Sequence, residues 1–349
     1  MEFGMFHEFP PVPEKREADA FAEALQQVEA ADRWGLDAMW LAELHGAPDR
    51  SVLSAPLLIA SAVAVKTKRI RIGIAVQVLP LCHPLRLAEE AATVDQLSRG
   101  RLIFGVGRSG VLRTYEDYGV PYEESRERFT ETLDILQRAW TQPSFSYEGK
   151  YYRFKDVTAA PKPYQQPYPP IRIAGTSADT FPRIGKRGLP VFVAVRHGSF
   201  SDLVPSIRAY REAYREAGHQ GRGEVYLRVP AFVADSDSQA KGEARGSIMG
   251  FFQYQAALAK DSAARAGGPT AADRIRRAER LEKLTYEEAL RNQILVGSPA
   301  SVTARLREVE AELGLDGVLL ELNCGGRIPH AGVMNAIRLV CHEVMPRFH

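Results

Sequence analysis

Strand-like and helix-like patterns alternate along the chain from one end to the other. Residues 1–6 have the composition of a strand, and apolar side chains then recur at helical spacing from Phe21 to Ala31, with Gly35 ending the helix. Repeated strand–helix units pair their strands in parallel through right-handed crossovers. Eight strands in this length predict an α/β fold, a (β/α)8 TIM barrel, rather than an open sheet. They lie near residues 1–6, 37–41, 69–79, 102–106, 171–174, 190–195, 226–234 and 317–322.

Two stretches of the 349-residue chain exceed what such a barrel needs. A typical barrel has about 250 residues, so about 100 residues lie in insertions. Residues 141–169 contain five prolines and several aromatic residues, which predict a hairpin and loop before the fifth strand. Residues 236–292 are polar, alanine-rich and helical, and follow the seventh strand as either a mobile lid or a plain surface excursion. No linker divides the chain, so we expect residues 1–349 to form a single domain.

The composition argues against several classes of function. The formal net charge is +2, which provides neither a basic field for nucleic acid nor a polybasic membrane patch. No apolar run approaches the roughly 18 residues of a membrane span, and no signal peptide is recognised. Cys82, Cys324 and Cys341 lie outside zinc or CxxC spacing, which favours free thiols in a reducing cytoplasm. No metal-ligand spacing and no Gly-x-Ser-x-Gly motif is found, so neither a metal site nor a serine hydrolase is expected.

A turn of small and hydroxyl residues follows the predicted fifth strand. The apolar segment 170–174 ends in Gly175, Thr176 and Ser177, and a helix is predicted to follow at once, with Thr180 in its first turn. Hydroxyl groups and free backbone N–H groups at a helix N-terminus favour an anion, which is the chemistry of a phosphate site. An ordinary Ser/Thr helix cap explains the same residues without a ligand.

A second turn of this kind follows the fourth strand. Gly107, Arg108 and Ser109 come directly after the apolar residues 102–106. Glycine lets a ligand approach the backbone closely, and the arginine fork suits phosphate oxygens. The Gly-x-Gly here lacks the third glycine and the later acid of a dinucleotide fingerprint. We therefore predict that one phosphate is held between the two turns.

Polar residues at other strand ends are candidates for catalysis and substrate binding. Glu43 and His45 follow the second strand, on the face of a barrel that carries active sites. We expect His45 to transfer a proton or form a hydrogen bond in catalysis, with Glu43 orienting it. A structural His–Glu pair at the strand end is the alternative. Arg196 and His197 follow the sixth strand and either bind an anionic or polar substrate or lie in solvent.

Several motifs, in order, resemble those of the bacterial luciferase-like flavin monooxygenases. The resemblance covers nearly the whole chain, and the ordered set is specific where each single motif is weak. The motifs are Trp40-Leu41-Ala42-Glu43-Leu44-His45, residues 75–84, residues 95–101 with the following Phe104-Gly105-Val106-Gly107-Arg108, Arg187-Gly188-Leu189-Pro190, and Val344-Met345-Pro346.

The resemblance implies a two-component FMN-dependent monooxygenase. Reduced FMN would come from a separate NAD(P)H:flavin reductase, and with O2 it would oxygenate an organic small-molecule substrate. The protein would orient the cofactor and shield it from water. The chain shows no nicotinamide-binding fingerprint, which agrees with an external supply of reductant. The aromatic residues of 141–169 and the small Gly107 indicate an apolar, fairly large substrate.

The resemblance also places residues at the flavin. Arg108 and the turn after the fifth strand would hold the phosphate, and Ala75–Val76 falls where the family carries a non-proline cis peptide beneath the isoalloxazine ring. A small inward residue of a packed barrel explains Ala75 equally well. The expected cofactor contacts are Ala75, Val76, Gly107, Arg108, Ser109, Gly175, Thr176, Ser177 and Thr180.

Two departures from luciferase itself leave other functions open. Leu44 stands where luciferase has a histidine that acts as a base, and Gly107 stands where luciferase has a reactive cysteine. Light emission from an aldehyde is therefore not expected. Deazaflavin-dependent hydride transfer without oxygen is the alternative within the fold, since both cofactors carry a phosphate after a ribityl chain. A non-catalytic flavin-binding barrel, or the non-catalytic subunit of a heterodimer, is the alternative outside catalysis.

An apolar helix predicts self-association. Residues 53–65 are apolar on more than one face, and residues 88–92 are mostly small. In the family that the chain resembles, subunits pair through helices flanking the early strands. One face of the helix would cover the barrel and the other would meet its copy across a twofold axis, which predicts a homodimer. Burial under the chain's own neighbouring helices is the alternative.

Overall fold

Eight parallel strands close into a barrel in the computed structural model, which describes residues 1–11, 14–195 and 198–348. Around the barrel the strand order is β1-β2-β3-β5-β8-β9-β10-β12, and β12 pairs with β1 to close the ring. The predicted (β/α)8 barrel is confirmed. In chain order the strands are β1 (Glu2–His7), β2 (Ala38–Leu41), β3 (Arg71–Ile74), β4 (Gln77–Val78), β5 (Leu102–Gly107), β6 (Phe145–Glu148), β7 (Arg153–Val157), β8 (Ile171–Ala174), β9 (Val191–Ala194), β10 (Val225–Val233), β11 (Leu295–Gly297) and β12 (Gly317–Glu321).

Helices connect successive strands and surround the barrel. No helix in the described part of the chain is long and apolar enough to cross a membrane. The helices are α1 (Glu17–Trp34), α2 (Pro56–Lys66), α3 (Pro84–Ser98), α4 (Leu112–Asp117), α5 (Ser125–Thr141), α6 (Thr180–Lys186), α7 (Val204–Glu216), α8 (Asp237–Arg265), α9 (Gly268–Lys283), α10 (Tyr286–Asn292), α11 (Pro299–Leu313) and α12 (His330–Leu339).

The prediction of a single strand at 69–79 is wrong, because the structure has two strands there, β3 and β4. β3 pairs with β2, and this pairing ends where the N–H of Ala75 donates to the Leu41 carbonyl at 2.8 Å. β4 then pairs only with β5, with Gln77 opposite Val106. The Ala75–Val76 peptide bond between the two segments is cis, as the family resemblance implied.

Both predicted insertions have the expected secondary structure. β6 and β7 form an antiparallel hairpin before β8. Helices α8, α9 and α10 follow β10, and they are succeeded by β11, which lengthens the sheet beside residues 231–233. The three-residue β11 was not predicted from the sequence. The helical insertion contacts the loop after β5, since Arg265 pairs with Glu116 and Arg274 donates to the Gly110 carbonyl at 2.8 Å.

A fully buried tryptophan fills the barrel interior. Trp40 on β2 lies against Gly4 and Gly73 on the two neighbouring strands, where an added Cβ would come within 2.4 Å and 2.1 Å of the indole ring. Phe192 meets the same ring edge-on at 5.0 Å. Below this layer, Arg172 is stacked over Tyr226 and paired with Glu2 at 2.8 Å. The interior is therefore filled, and in barrels of this kind ligands bind at the C-terminal ends of the strands.

Candidate functional site

The Glu43 carboxylate connects two strand ends at the C-terminal face of the barrel. It lies just beyond β2 and its side chain is only 3% exposed. It accepts hydrogen bonds from Gln77 Nε2 at 2.6 Å, from the Val78 N–H at 2.8 Å and from His45 Nε2 at 2.8 Å. A buried carboxylate with three donors is held in one orientation, so Glu43 fixes both β4 and the imidazole of His45.

Both ring nitrogens of His45 are engaged. Because the Glu43 carboxylate can only accept, Nε2 carries the proton of the neutral ring, and Nδ1 accepts from the Tyr118 hydroxyl at 2.9 Å. Burial, and then the charge of Glu43, raises the pKa of Tyr118, which keeps that hydroxyl protonated. Tyr118 follows α4 and is 49% exposed. A ligand can therefore reach Nδ1 only where Tyr118 moves aside.

A small apolar surface adjoins this hydrogen-bonded group. Leu44, Ala75, Val76 and Ala174 pack as partly buried side chains on the filled barrel interior. Gly107 does not enlarge the pocket as predicted, because Val76 Cγ2 occupies the position beside it, 2.5 Å from where a Cβ would lie. The glycine instead allows β5 and the Ala75–Val76 segment to pack closely. The result is a small aliphatic surface that could pack against an aromatic ring system.

The two predicted phosphate turns are brought together by the first residues of α5. Arg108 Nη1 donates to Ser125 Oγ at 3.3 Å, and the Tyr115 hydroxyl donates to the Arg108 carbonyl. The next residue of α5, Arg126, pairs with Asp179 of the other turn at 2.7 Å. Ser109 adopts a left-handed backbone conformation with φ of 59°. Neighbouring residues of one helix thus contact each turn.

The second turn gathers hydroxyl groups around a carboxylate. Ser177 Oγ donates to Asp179 Oδ1 at 2.7 Å and lies 2.8 Å from Thr180 Oγ1. The Ser177 hydroxyl and the Arg126 guanidinium lower the pKa of Asp179. Thr176 is exposed, and the Gly175 N–H donates to the Phe192 carbonyl at 2.9 Å. Hydroxyl and guanidinium donors that already converge on one anionic group fit a phosphate.

Arg126 and Tyr118 are the site residues that sequence reasoning missed. Arg126 lies in the charged run of 123–128, which is typical of a solvated helix face, and Tyr118 ends a six-residue helix. Neither has a local signal, since both reach the site through tertiary contacts. Arg196 and His197, predicted to bind substrate, lie outside the described residues.

Gln77 and Cys82 lie beside Glu43 and affect what chemistry the site can perform. Gln77 Oε1 is buried and has no hydrogen-bond partner in the part of the chain that the structure describes. Cys82 lies beside the Gln77 amide at 3.5 Å, and burial together with the charge of Glu43 raises its pKa to about 12. This thiol therefore stays protonated and is a poor nucleophile. Within the described residues, no His, Cys, Asp and Glu side chains group as a metal site.

Sequence comparison finds a family and a relative that match most or all of the chain. The family model for luciferase-like monooxygenases matches residues 1–317. The oxygenase component of the flavin-dependent trigonelline monooxygenase of Acinetobacter baylyi is 27% identical over 354 residues, covering 100% of this chain and 96% of that protein.

Solved structures share the fold at lower identity. One is the FMN complex of the oxygenating constituent of 3,6-diketocamphane monooxygenase from Pseudomonas putida, a type II Baeyer–Villiger monooxygenase. It has a TM-score of 0.83 and 22% identity, over 99% of this chain and 98% of that one. The coenzyme F420-dependent tetrahydromethanopterin reductase of Methanopyrus kandleri has a TM-score of 0.75 and 18% identity, over 100% and 99%.

The Glu43 hydrogen bonds can be tested through stability. Glu43→Gln replaces one acceptor oxygen by a donor, and we expect the free energy of unfolding to fall by about 1–3 kcal/mol, since buried donors lose their partner. Urea denaturation measures the change. Glu90→Gln is the control, because the Glu90–Arg86 pair is exposed and should contribute less than about 0.5 kcal/mol. Equal effects in the two variants would contradict the central position of Glu43.

Proposed function

The chain belongs to the luciferase-like monooxygenase family and is a flavin-dependent oxidoreductase, and on this basis we propose that it is the FMN-dependent oxygenase of a two-component monooxygenase. The main support for this cofactor site is that the first residues of α5 contact both turns. Arg108 and Arg126 supply guanidinium donors, and Ser177 and Thr180 supply hydroxyl groups. Such a set suits the phosphate of FMN.

The remaining cofactor contacts follow from the same geometry. With its phosphate at the turns, the flavin would rest its ring on the aliphatic surface that includes Ala75 and Val76. Bound reduced flavin supplies the electrons and the reaction with O2. The protein contributes position and shielding, since the α8–α9 insertion contacts α4 through the Arg265–Glu116 pair and the loop after β5 through the Arg274–Gly110 hydrogen bond.

We assign proton handling to His45. Glu43 holds Nε2–H, so the ring turns Nδ1 toward Tyr118 and the barrel mouth. When Tyr118 withdraws, Nδ1 becomes free to accept a proton from the bound reactants or, once protonated, to donate one. Tyr118 then acts as the positioning residue that occupies Nδ1 in the absence of a ligand.

A separate flavin reductase is the partner that this function requires. The relative from Acinetobacter baylyi is named as an oxygenase component, which supports a division of labour between two proteins. Cys82, Cys324 and Cys341 are all free, which supports a reducing compartment such as the cytoplasm as the common location.

The cofactor site is tested by titrating the purified protein with FMN and with the deazaflavin coenzyme. We expect tighter binding of FMN. Arg108→Ala and Arg126→Ala should each weaken FMN binding by about 1.5–3 kcal/mol, roughly tenfold to a hundredfold, because each removes a charged hydrogen bond. Arg113→Ala is the control, since Arg113 is exposed on α4 and pairs only loosely with Asp117 at 3.9 Å. Unchanged FMN affinity in both turn variants would remove the proposed phosphate site. Preference for the deazaflavin would favour hydride transfer instead.

The role of His45 is tested by following peroxide. With reduced FMN and O2, His45→Ala should leave FMN affinity nearly unchanged and raise the uncoupled release of hydrogen peroxide, while coupled turnover falls by about 10²–10⁴-fold, as expected for loss of a proton-transfer group. A peroxidase-coupled assay measures the rate. His342→Ala is the control, because this histidine is exposed and is not part of the proposed site. A lower melting temperature with unaltered peroxide release would make His45 a structural brace.

We also propose that the chain forms a homodimer through α2 and α3. The inner face of α2 is buried through Leu57, Ala60 and Val63, yet Leu58 and Val65 remain 72% and 71% exposed. Leu97 at the end of α3 is 47% exposed. The chain's own helices therefore leave one apolar face of α2 uncovered, which a second copy would bury.

Light scattering at micromolar concentration tests the dimer. We expect a dimer mass, with more than about 1,000 Å² buried. Replacing Leu58 and Val65 together by Glu should give a monomer, since charges would face each other across the twofold axis. Ile275→Glu on α9, where the side chain is 39% exposed, should leave the mass unchanged. A monomer mass for the parent would contradict the proposal.

A further inference from the structure

A second polar cluster lies at the C-terminal end of the barrel, separate from Glu43 and from the phosphate turns. It consists of Glu8, Arg50, Arg228 and Glu321, and we call it the Arg228 cluster. Side chains along a strand alternate between interior and exterior. Phe6, Tyr226 and Leu319 belong to the filled interior. Glu8, Arg228 and Glu321 each stand two residues further along the same segments, so they point inward one layer above.

The contacts within the cluster hold Arg228 by one edge. Its Nη2 donates to Glu8 Oε1 at 2.9 Å and to Glu321 Oε2 at 2.7 Å, and its Nε lies 3.2 Å from Glu321 Oε2. Its guanidinium lies over the Phe6 ring at 3.8 Å. Nη1 has no hydrogen-bond partner among the described residues, and the Arg228 side chain is 27% exposed. One donor edge of a fixed guanidinium therefore faces open space.

The other members of the cluster are closed to a ligand. Glu8 and Glu321 are 8% and 4% exposed, and Glu8 is paired with Arg50 through both carboxylate oxygens. Arg50 is covered by Phe251 and Tyr254 of α8, whose ring centroids lie 5.3 Å and 5.1 Å away. The cavity beside Glu8 and Glu321 measures about 10 Å³, which is room for one water molecule at most. Only Arg228 is accessible to an organic molecule.

The strand order places this cluster across the barrel mouth from the proposed flavin phosphate. In the ring of eight strands, β12 is four strands from β5 and β1 is four strands from β8, while β10, which carries Arg228, is three strands from β5 and two from β8. The phosphate turns follow β5 and β8, whereas Glu321 ends β12 and Glu8 follows β1. A flavin anchored at the turns, with its ring on the Ala75–Val76 surface, would leave the substrate between its ring and Arg228.

We propose that Arg228 recognises the substrate through an oxygen acceptor, a carbonyl or carboxylate group, and this inference rests on the proposed function. Arginine remains charged and offers only donors, so its free edge matches oxygen lone pairs. An apolar group in the same place would bury Nη1 without a partner, which costs affinity. The substrate therefore has a polar end directed at Arg228, in addition to the apolar character expected from the sequence.

The charge around Arg228 can accommodate either acceptor. Glu8 and Arg50 neutralise each other, and Glu321 offsets Arg228. Burial and the nearby charge of Glu8 raise the pKa of Glu321. Two cations and two anions leave the cluster without net charge, so neither a carbonyl dipole nor a carboxylate meets net repulsion there.

The test uses three aromatic probes of similar shape on the FMN-loaded protein: benzoate, acetophenone and cumene. Binding is measured by saturation-transfer NMR and calorimetry. We expect at least one oxygen-bearing probe to bind about tenfold more tightly than cumene. Arg228→Lys, which keeps the charge but loses the fork, should remove this preference and leave cumene and FMN binding unchanged. The two oxygen-bearing probes distinguish carboxylate from carbonyl recognition.

Two further variants keep the test decisive. The double variant Arg228→Met, Glu321→Gln removes both charges together, so no unpaired buried charge is left to destabilise the fold. We expect this variant to lose the preference for oxygen-bearing probes, as Arg228→Lys does. Arg172→Lys is the control, because Arg172 is a buried interior arginine paired with Glu2 at the other end of the barrel. Equal binding of all three probes, or equal loss in Arg172→Lys, would overturn the proposal.

The proposal and the proposed function fail in different ways. FMN binding without any preference among the probes would overturn the role of Arg228 and leave the flavin site intact. A parent protein that does not bind FMN, yet prefers an oxygen-bearing probe through Arg228, would overturn the flavin function and leave Arg228 as a ligand-binding residue.

Discussion

Trp40 fills the centre of the barrel only because Gly4 and Gly73 leave room for its ring. A Cβ on either glycine would clash with the indole, so three adjacent strands are matched to one side chain. Phe192 and the Arg172–Tyr226 stack complete the layer. With the interior closed in this way, charged and polar side chains that point inward must gather at the strand ends. Glu43, the phosphate turns and the Arg228 cluster all lie there because the space below is taken.

The barrel could be predicted from the sequence because its signals are local. Apolar alternation located the barrel strands to within a few residues, and the small residues at Gly107 and Gly175 marked two strand ends that the structure joins through α5. The membership of the family and the flavin dependence also follow from ordered motifs. The strand predicted at 69–79 is too long because the periodicity continues across Ala75, whereas β3 pairs with both β2 and β5 and β4 pairs with β5 alone. β11 has three residues, too few for any periodicity to show.

The remaining site residues could not be predicted, since their position depends on tertiary contacts. Arg126 belongs to a charged helical run, and nothing near it in sequence indicates that it meets Asp179, 53 residues later. Tyr118 reaches His45 across 73 residues. Glu8, Arg228 and Glu321 show only a weak signal in the sequence. Each stands two residues after an interior side chain, at a position where strand alternation predicts an inward-pointing residue. A charge at such a position in a strand pattern indicates a polar layer at the end of a barrel.

Asp179 gives the phosphate turns a counter-ion of their own. Its carboxylate accepts from Arg126 and Ser177, so the positive charge is compensated whether or not a phosphate is present. An arginine pocket without such a residue would gain much of its stability from its ligand and would release it slowly. Under the proposed function, the internal carboxylate would compete with the incoming phosphate and take its place again on departure. A flavin bound at these turns would then exchange with the solution rather than remain a permanent part of the protein.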